Sequence, residues 1–451
     1  MKNVLLANIV IVCCFLSINA ENIKVDNADK LMECLNQCPD GDTISLSDGI
    51  YSGDFSIDKH LTLLGSSKSI LDGGKEGDVL TISGDSVEIN GITVRSSGTR
   101  LLQDMAGIKV TGSNVAITNC RIIDNLHGIY IKGGKYAKIA DNIIIGRFDI
   151  QEADRGNGIH LWSTTGNIIE NNDISYARDG IYFSFANQTH VRENHIHHLR
   201  YGLHYMYSDS NSFENNLFDY NVAGSALMYS KNIEFERNIF AHCRGFRAYG
   251  LLLQSVDYCS ADDNLILDNT RAIFLSNSSF NNFEGNEIVQ NDLAVQINVA
   301  CEENLFAENN FISNLADVMM DVSVVTSTRW SRDGRGNYWS DYAGYDLDND
   351  EIGDIPHQLQ SIFEYLEQDN PAVRFYLYSP ASQLLAAAER RLPILRNNTV
   401  EDQHPIFAYR SNSDLPDIGI GSGDGNKTDT YAILWSFILV FPSFLMWKLR
   451  K

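Results

Sequence analysis

Two consecutive stretches of equal length, GIYFSFANQTHVRENHIHHLRY (residues 180–201) and GLHYMYSDSNSFENNLFDYNVA (residues 202–223), can be laid over one another position by position. Each opens with a glycine, has apolar residues one and three positions later, and carries an asparagine fourteen residues after the glycine. Another apolar residue follows that asparagine by two positions. Self-similarity at a fixed period of 22 residues is typical of a solenoid, because one such unit cannot bury its apolar face alone.

The same pattern extends in both directions from these two units. The small residue that opens a unit recurs, most often 22 residues apart, at Gly107, Gly128, Gly158, Gly180, Gly202, Gly224, Gly250, Ala272 and Ala294. Apolar residues at alternate positions, separated by Gly, Asn and Asp, indicate two short strands in each unit. Stacked units pair their strands in parallel, about 4.8 Å apart. Since parallel crossovers are right-handed, we expect an all-β protein, a right-handed single-stranded parallel β-helix with about 22 residues per coil.

The recurring asparagine is a structural element of this repeat. It occurs at Asn142, Asn172, Asn194, Asn216, Asn238, Asn264 and Asn286. Asparagine tolerates a left-handed backbone conformation, and stacked amides can form a ladder of hydrogen bonds. We therefore expect the asparagine to occupy a left-handed turn and to bond along the stack. Eight extra residues within 146–157 and four within 244–249 interrupt the spacing and predict loops.

The ends of the chain differ in composition from the repeat. Residues 1–20 resemble a secretory signal peptide. Residues 21–320 form the predicted β-helix, with an amphipathic N-terminal cap around residues 31–35. Residues 321–410 form a predicted C-terminal cap, which contains an acidic loop and a helix from residue 379 to 391. Residues 411–430 are a Gly/Ser/Asp-rich linker, and residues 431–447 are an apolar segment followed by basic residues. This order predicts an exported body on the extracytoplasmic side, anchored by one C-terminal transmembrane helix.

Charge and cysteine usage narrow the class of partner. The formal net charge is −23 and the sequence pI is about 4.8, which disfavours nucleic acid as a partner. Six cysteines follow the predicted signal peptide, and only Cys34 and Cys38 have a zinc-type spacing, with which the pair could bind copper. A disulfide or two thiols packed on a helix are the alternatives for that pair.

One outward-facing stripe of the predicted β-helix is rich in soft ligands. Positions one and three after the opening residue are apolar and face the core, so positions two and four face outward. Met206 and Met228 then lie on adjacent coils, His204 shares the face of Met206, and His160 lies two coils away. Thioether and imidazole together suit Cu(I) better than zinc, calcium or magnesium. The alternative is an apolar strip covered by the eight-residue insertion or by a partner protein.

Two further groups of residues are weaker metal candidates. His195 and His197 flank the inward Ile196 and therefore share an outward face, where they are a second candidate copper site. Asp346, Asp348, Asp350 and Asp354 resemble a calcium loop, in which carboxylates alternate along the chain. The loop has Glu351 where calcium loops usually have glycine, and a solvated acidic turn is the alternative.

A parallel β-helix that acts on glycans is the rival function. A hydrolase of this shape needs two carboxylates on one sheet face, about 5 to 9.5 Å apart. A lyase needs a basic residue beside a carboxylate-bound calcium. The outward stripe offers no such carboxylate pair and only Lys132 as a base, so this composition favours a protein that is not an enzyme.

Several segments resemble the NosD family of periplasmic maturation factors for nitrous oxide reductase. The resemblance is carried by GNGIHLW (156–162), RDGIYF (178–183), LRYGLHYMYS (199–208), MYS (228–230) and GNYWSDYAGYDLD (336–348), and it covers the chain from about residue 41 to residue 395. The predicted transmembrane helix and the Cys34/Cys38 pair depart from the soluble members of the family.

The resemblance implies a non-catalytic role in assembling a metal cofactor. Members of the family act with an ABC transporter permease and ATPase, and with a copper chaperone, to supply copper or sulfur for the copper–sulfur cluster of the reductase. By this resemblance His160, His204, Met206 and Met228 are candidate residues for transient Cu(I) binding. Structural calcium remains a separate expectation from the acidic loop.

Overall fold

Each regular coil of the chain contributes one strand to each of three parallel sheets. The computed structural model describes residues 21–320, 327–359, 379–381, 384 and 401–409. Within these residues the chain forms the predicted all-β parallel β-helix, with about 14 turns. The signal peptide, the linker, the apolar segment 431–447 and most of the predicted helix 379–391 lie outside them.

The first sheet, sheet A, has thirteen described strands. They are Asn22–Val25, Thr43–Leu46, Thr62–Leu64, Glu88–Asn90, Ala116–Thr118, Lys138–Ala140, Ile168–Glu170, His190–Arg192, Ser212–Glu214, Glu234–Glu236, Ser260–Asp262, Asn282–Glu284 and Leu305–Ala307. Most of these strands are three residues long and turn one buried side chain towards the core, such as Ile169 or Phe213.

Sheet B also has thirteen described strands and follows sheet A in each coil. They are Gly49–Ser52, Ser69–Asp72, Thr93–Arg95, Arg121–Ile123, Ile143–Ile145, Asp173–Ser175, His195–His197, Leu217–Asp219, Ile239–Ala241, Leu265–Leu267, Glu287–Val289, Asn310–Ile312 and Tyr338–Trp339. The prediction of two strands per unit was wrong, because in nearly all coils only two residues separate the strands of sheets A and B, so that the two cannot be told apart in the sequence. His190–Arg192 and His195–His197 show this arrangement.

Sheet C has twelve described strands, which include the longest of the fold. They are Phe55–Ile57, Leu80–Ile82, Ala106–Val110, His127–Lys132, Ile159–Trp162, Asp179–Ser184, Tyr201–Met206, Ala223–Lys231, Tyr249–Asp257, Arg271–Ser276, Leu293–Ile297 and Ala316–Met320. Neighbouring strands pair with equivalent positions opposite one another, so that Tyr182 lies beside His204 and Met206 beside Met228. The predicted stacking register is confirmed here.

The asparagine ladder forms inside the coils. Asn194 donates its side-chain amide to Oδ1 of Asn216 at 2.9 Å, and Asn216 donates in the same way to Asn238 at 2.9 Å. The left-handed conformation was assigned to the wrong residue, because the residue before each asparagine adopts it, as at Glu193 (φ 56°) and Asn215 (φ 54°). That turn directs the following asparagine inward, where it is buried and bonds along the stack.

Both ends of the apolar core are closed. The helix Ala28–Gln37 is capped by Asn27, whose side chain accepts a hydrogen bond from the amide of Lys30, and it buries Leu31 and Leu35 as predicted. Cys34 and Cys38 lie near the end of this helix as free thiols. At the other end Trp339 stacks on Phe311 with ring centroids 4.0 Å apart and donates to Asp402 at 3.0 Å.

The remaining elements are short. They are the 3-10 helices Leu101–Gln103 and Glu152–Asp154, and an antiparallel pair formed by His357–Gln358 and Glu401–Asp402. Within the described part of the chain, no helix is both long enough and apolar enough to cross a membrane.

Candidate metal centre

The two methionines of the outward stripe lie directly beside one another. Met206 and Met228 are paired residues of adjacent strands in sheet C, and both are partly exposed. Parallel strands are about 4.8 Å apart, so the two thioether side chains leave the sheet side by side. The hydroxyl of Tyr182 lies 3.8 Å from Sδ of Met206 and limits where that side chain can lie.

His204 completes a compact group with this pair. It is two residues before Met206 in the same strand and projects from the same face. Its Nδ1 lies 2.8 Å from Oδ2 of Asp179, so Nε2 is the nitrogen left for a metal. A carboxylate on the far nitrogen is the usual way in which proteins orient a metal-binding imidazole.

Asp179 is itself held in place by Arg200. The guanidinium donates two hydrogen bonds to the carboxylate, at 2.9 and 2.7 Å, and Asp179 is only 2% exposed. Burial raises the pKa of Asp179, but the hydrogen bonds from His204 and Arg200 outweigh it and hold the pKa below its ordinary value. The carboxylate is therefore ionised at neutral pH and can orient His204.

His160 does not join this group. The strands of His160 and His204 are two positions apart in the sheet, so their backbones are about 9.6 Å apart. The ring of Tyr182 lies between the two imidazoles, and its centroid is 4.7 Å from that of His160 and 4.8 Å from that of His204. His160 faces away from the core as predicted but is only 8% exposed, because it stacks on Tyr130 at 4.5 Å and packs against His127. The expectation that it lies at the surface was wrong.

Two buried imidazoles thus form a separate cluster. Burial and the neighbouring His127 and His204 lower the pKa of His160 to about 3, and burial lowers the pKa of His127 to about 4. Nε2 of His160 is buried and has no hydrogen-bond partner among the described residues. Both rings are neutral at physiological pH, which is the protonation state that a metal ligand requires.

The sequence pattern did not identify His127, Asp179 or Arg200. The alternation of inward and outward positions breaks at the opening glycine, because a Cβ at Gly180 would point inward and lie 2.5 Å from Cγ2 of Ile196. Asp179, just before that glycine, therefore faces outward with His204. The polar residue directly before the opening glycine is the sequence feature from which the outward position of Asp179 could have been predicted.

The other predicted ligands are also placed by the structure. Nitrogens of His195 and His197 lie 3.4 Å from Oδ2 of Asp173 on sheet B. Asp346, Asp348 and Asp350 bring oxygens within 4.8 Å of one another. Asp354 lies outside this group, and its Oδ2 accepts the amide of Leu347 at 2.7 Å. Calcium binding here stays a prediction.

A cleft of about 540 Å³ opens beside sheet B. One wall of the cleft is a column of tyrosine and histidine rings that alternate from one coil to the next. The rings belong to Tyr176, His198, Tyr220 and His242. Glu152 and Arg155 of the eight-residue insertion line the same cleft, and Arg155 donates to the carbonyl of Tyr176. The insertion thus forms the predicted loop, and these contacts direct it towards the edge of sheet B.

The chain is similar to known proteins in both sequence and fold. Residues 145–344 match the family described as "Periplasmic copper-binding protein (NosD)". The chain is 36% identical over 379 residues to the "Probable ABC transporter binding protein NosD" of Pseudomonas aeruginosa, covering 80% of this chain and 87% of that protein. It is 33% identical over 387 residues to the protein of the same description from Stutzerimonas stutzeri, covering 82% and 88%.

Solved structures with this fold include glycan-active enzymes. A family 28 exopolygalacturonase of Yersinia enterocolitica matches with a TM-score of 0.53 at 10% identity, covering 70% of this chain and 78% of that one. The catalytic unit of an α-1,3-glucanase from Streptomyces thermodiastaticus matches with a TM-score of 0.50 at 14% identity, covering 71% and 67%. At these identities the likeness concerns the fold alone.

Proposed function

Because the chain belongs to the NosD family of periplasmic copper-binding proteins, we propose that it carries Cu(I) transiently at His204, Met206 and Met228. In this proposal the ion is received from a copper chaperone and passed towards the copper–sulfur cluster of nitrous oxide reductase. The protein acts as an assembly factor with an ABC transporter permease and ATPase, and sulfur is the alternative cargo. The apolar segment 431–447 tethers it at the periplasmic face of the inner membrane.

One observation carries the proposal: two thioethers are stacked in register beside an imidazole that is already oriented. Thioether sulfur and neutral imidazole are ligands that select Cu(I) over hard cations. The Met206 and Met228 pair is partly exposed, so an ion can enter and leave. His204 needs no rearrangement, because Asp179 and Arg200 fix its ring from behind.

His160 has a different part in this proposal. The strand of Met228 lies three positions from that of His160 in the sheet, a backbone distance of about 14 Å. His160 is therefore too far away to bind the same ion as Met228. We place it, with His127, as a second soft-metal position further along the same face. In this proposal the ion binds there only transiently, and the position is separate from the three-residue group.

Competition between the full chain and a chromogenic Cu(I) chelator tests the proposal. We expect one Cu(I) to bind at the three-residue group, and Met206→Leu combined with Met228→Leu to lose that ion. Leucine fills nearly the volume of methionine, so the fold should change in stability by less than about 1.5 kcal/mol. Met319→Leu is the matched control, since Met319 is a partly exposed methionine of sheet C paired with Gln296.

The same variants separate copper delivery from other roles. In cells, the double variant should leave nitrous oxide reductase without its copper–sulfur cluster, and Met319→Leu should not. A double variant that still matures the reductase would show a scaffold that does not handle the metal. Absence of Cu(I) uptake by the wild-type chain, together with cleavage of an acidic glycan, would favour the glycan-active alternative.

A further inference from the structure

A second group of ligands lies on sheet B, away from the methionine pair on sheet C. Asp173 and His195 are directly opposite one another on adjacent strands, and His197 projects from the same face as His195. The two imidazole rings stack with centroids 4.1 Å apart and planes inclined by 19°. The strand register therefore brings one carboxylate and two imidazoles close together, with ligand atoms within 4.8 Å of one another.

The spacing of the ligand atoms distinguishes between coordination geometries. Nδ1 of His195 and Nε2 of His197 each lie 3.4 Å from Oδ2 of Asp173. Two ligands bound to zinc at ordinary distances are about 3.3 Å apart at a tetrahedral angle and about 2.9 Å apart at a right angle. Both nitrogen-to-oxygen distances are close to the tetrahedral value, and the three ligand atoms lie within 4.8 Å of one another.

The hydrogen-bond partners of these three residues leave atoms that are able to bind a cation. Nδ1 of His197 lies 2.7 Å from Nδ1 of His198, so His197 can donate its Nδ1 proton there and keep the Nε2 lone pair free. Nε2 of His195 is buried and has no hydrogen-bond partner among the described residues, so the contact of this ring with Asp173 is made through Nδ1. Among the described residues, the ion pairs of Asp173 are with these two histidines, and none is with lysine or arginine.

We propose that Asp173, His195 and His197 form a Zn²⁺ site with three protein ligands and a fourth position open to water or an exogenous ligand. Imidazole with carboxylate is a ligand set of intermediate softness that suits zinc. His198 acts as a positioning residue behind His197. The site does not rest on the proposed Cu(I) function, because its ligands belong to a different sheet.

Zn²⁺ titration of the full chain against a chromogenic chelator tests this site. We expect one Zn²⁺ per chain, and a loss of affinity of more than about 100-fold in Asp173→Asn and in His197→Gln. His198→Phe should weaken binding by about 10- to 100-fold while leaving the stoichiometry unchanged. His190→Gln is the control, since His190 is an exposed histidine of sheet A that contacts Ser212.

Spectroscopy gives a readout that a purely structural role would not change. Co²⁺ in place of Zn²⁺ should give the intense visible bands of tetrahedral cobalt, and Asp173→Asn should abolish them. The Met206→Leu, Met228→Leu chain should keep the Zn²⁺ site, so that the two proposals can fail independently. Wild-type stoichiometry and affinity in both Asp173→Asn and His197→Gln, or weak octahedral cobalt bands in the wild-type chain, would overturn the assignment.

Discussion

His127 and His160 are uncharged at neutral pH because each is buried against aromatic rings. Their pKa values, about 4 and about 3, lie below the ordinary value of 6.5 that applies to the unfolded chain. Above about pH 6.5 neither state binds an extra proton at these residues. Below it the unfolded chain takes up protons that the folded chain cannot, and stability falls.

This difference predicts that the contribution of the two histidines to stability is lost in acid. Lowering the pH from about 7.5 to about 5 should reduce the free energy of unfolding by about 2 kcal/mol for each of the two histidines, at about 1.36 kcal/mol per pH unit below 6.5. Urea unfolding at the two pH values measures it. His160→Phe should remove the share that belongs to His160, about 2 kcal/mol. Burial raises the pKa of Asp262 to about 6 and of Asp317 to about 7, which favours the folded state as the pH falls, so the variant is compared with the wild-type chain. The same pH dependence in both chains would contradict the buried, neutral assignment.

Asp179 is the residue whose charge orients His204. Asp179→Asn should keep an oxygen near the imidazole but lose the preference for a proton on Nδ1, and Cu(I) affinity should fall by about 10- to 100-fold. The matched control is Asp219→Asn, because Asp219 makes the equivalent contact with His242 on sheet B at 2.7 Å. Unchanged Cu(I) affinity in Asp179→Asn, measured on protein shown to be folded by circular dichroism, would refute this role.

At the scale of the elements, the asparagine ladder fixes the turn between sheets A and B. Oδ1 of Asn216 accepts hydrogen bonds from the backbone and side-chain amides of Asn194, and its own amide donates to Val191 and Asn238. All of these groups are buried, so each bond that is lost leaves a polar atom without water. The ladder therefore fixes the position of each coil on the next.

Asn216→Ala should be costly for this reason. Two buried donors of Asn194 lose this acceptor, and at about 1 to 3 kcal/mol for each unsatisfied group we expect a loss of about 2 to 6 kcal/mol in the free energy of unfolding. Denaturant unfolding checks this value. Glu234→Ala, at an exposed position of sheet A, should change it by less than about 0.5 kcal/mol. Similar effects of the two substitutions would show that the ladder is not stabilising.

The repeat predicted the stacking of coils but not the path of the chain within each coil. A period of 22 residues placed Met206 on Met228, and alternation placed His204 on the same face, because both rules hold along a straight strand. They fail at Gly180, where the chain bends and two successive positions turn inward. Asp179 was missed for that reason. The burial of His160 was also missed, because it depends on the rings of neighbouring coils and not on its own position.

On the scale of the whole molecule, stability is distributed along a stack in which each coil contacts its neighbours. The C-terminal end is closed by Trp339, which stacks on Phe311 and is bonded to Asp402. An open end exposes apolar core and unpaired strand edges. The cap therefore protects the last coils first and the central coils only indirectly.

Trp339→Ala should open this end of the molecule. We expect a loss of about 3 to 5 kcal/mol in stability and faster amide hydrogen exchange in residues 305–320 and 327–339, while the strands around Met206 and Met228 keep their protection. Hydrogen exchange followed by mass spectrometry resolves the two regions. Uniformly faster exchange along the whole stack would mean that the coils unfold as a single cooperative unit.

The in-register pairing of Met206 with Met228 has a consequence for how such a protein can evolve. A tandem duplication of one 22-residue unit within the gene would insert a coil whose side chains fall on the same columns, so a third sulfur would join the existing two without a new pocket. Loss of the unit that carries Met228 would remove one ligand, loss of the unit that carries Met206 would also remove His204, and either loss would leave the core continuous. The capacity of this surface for soft ions can therefore change by copying or deleting whole repeats.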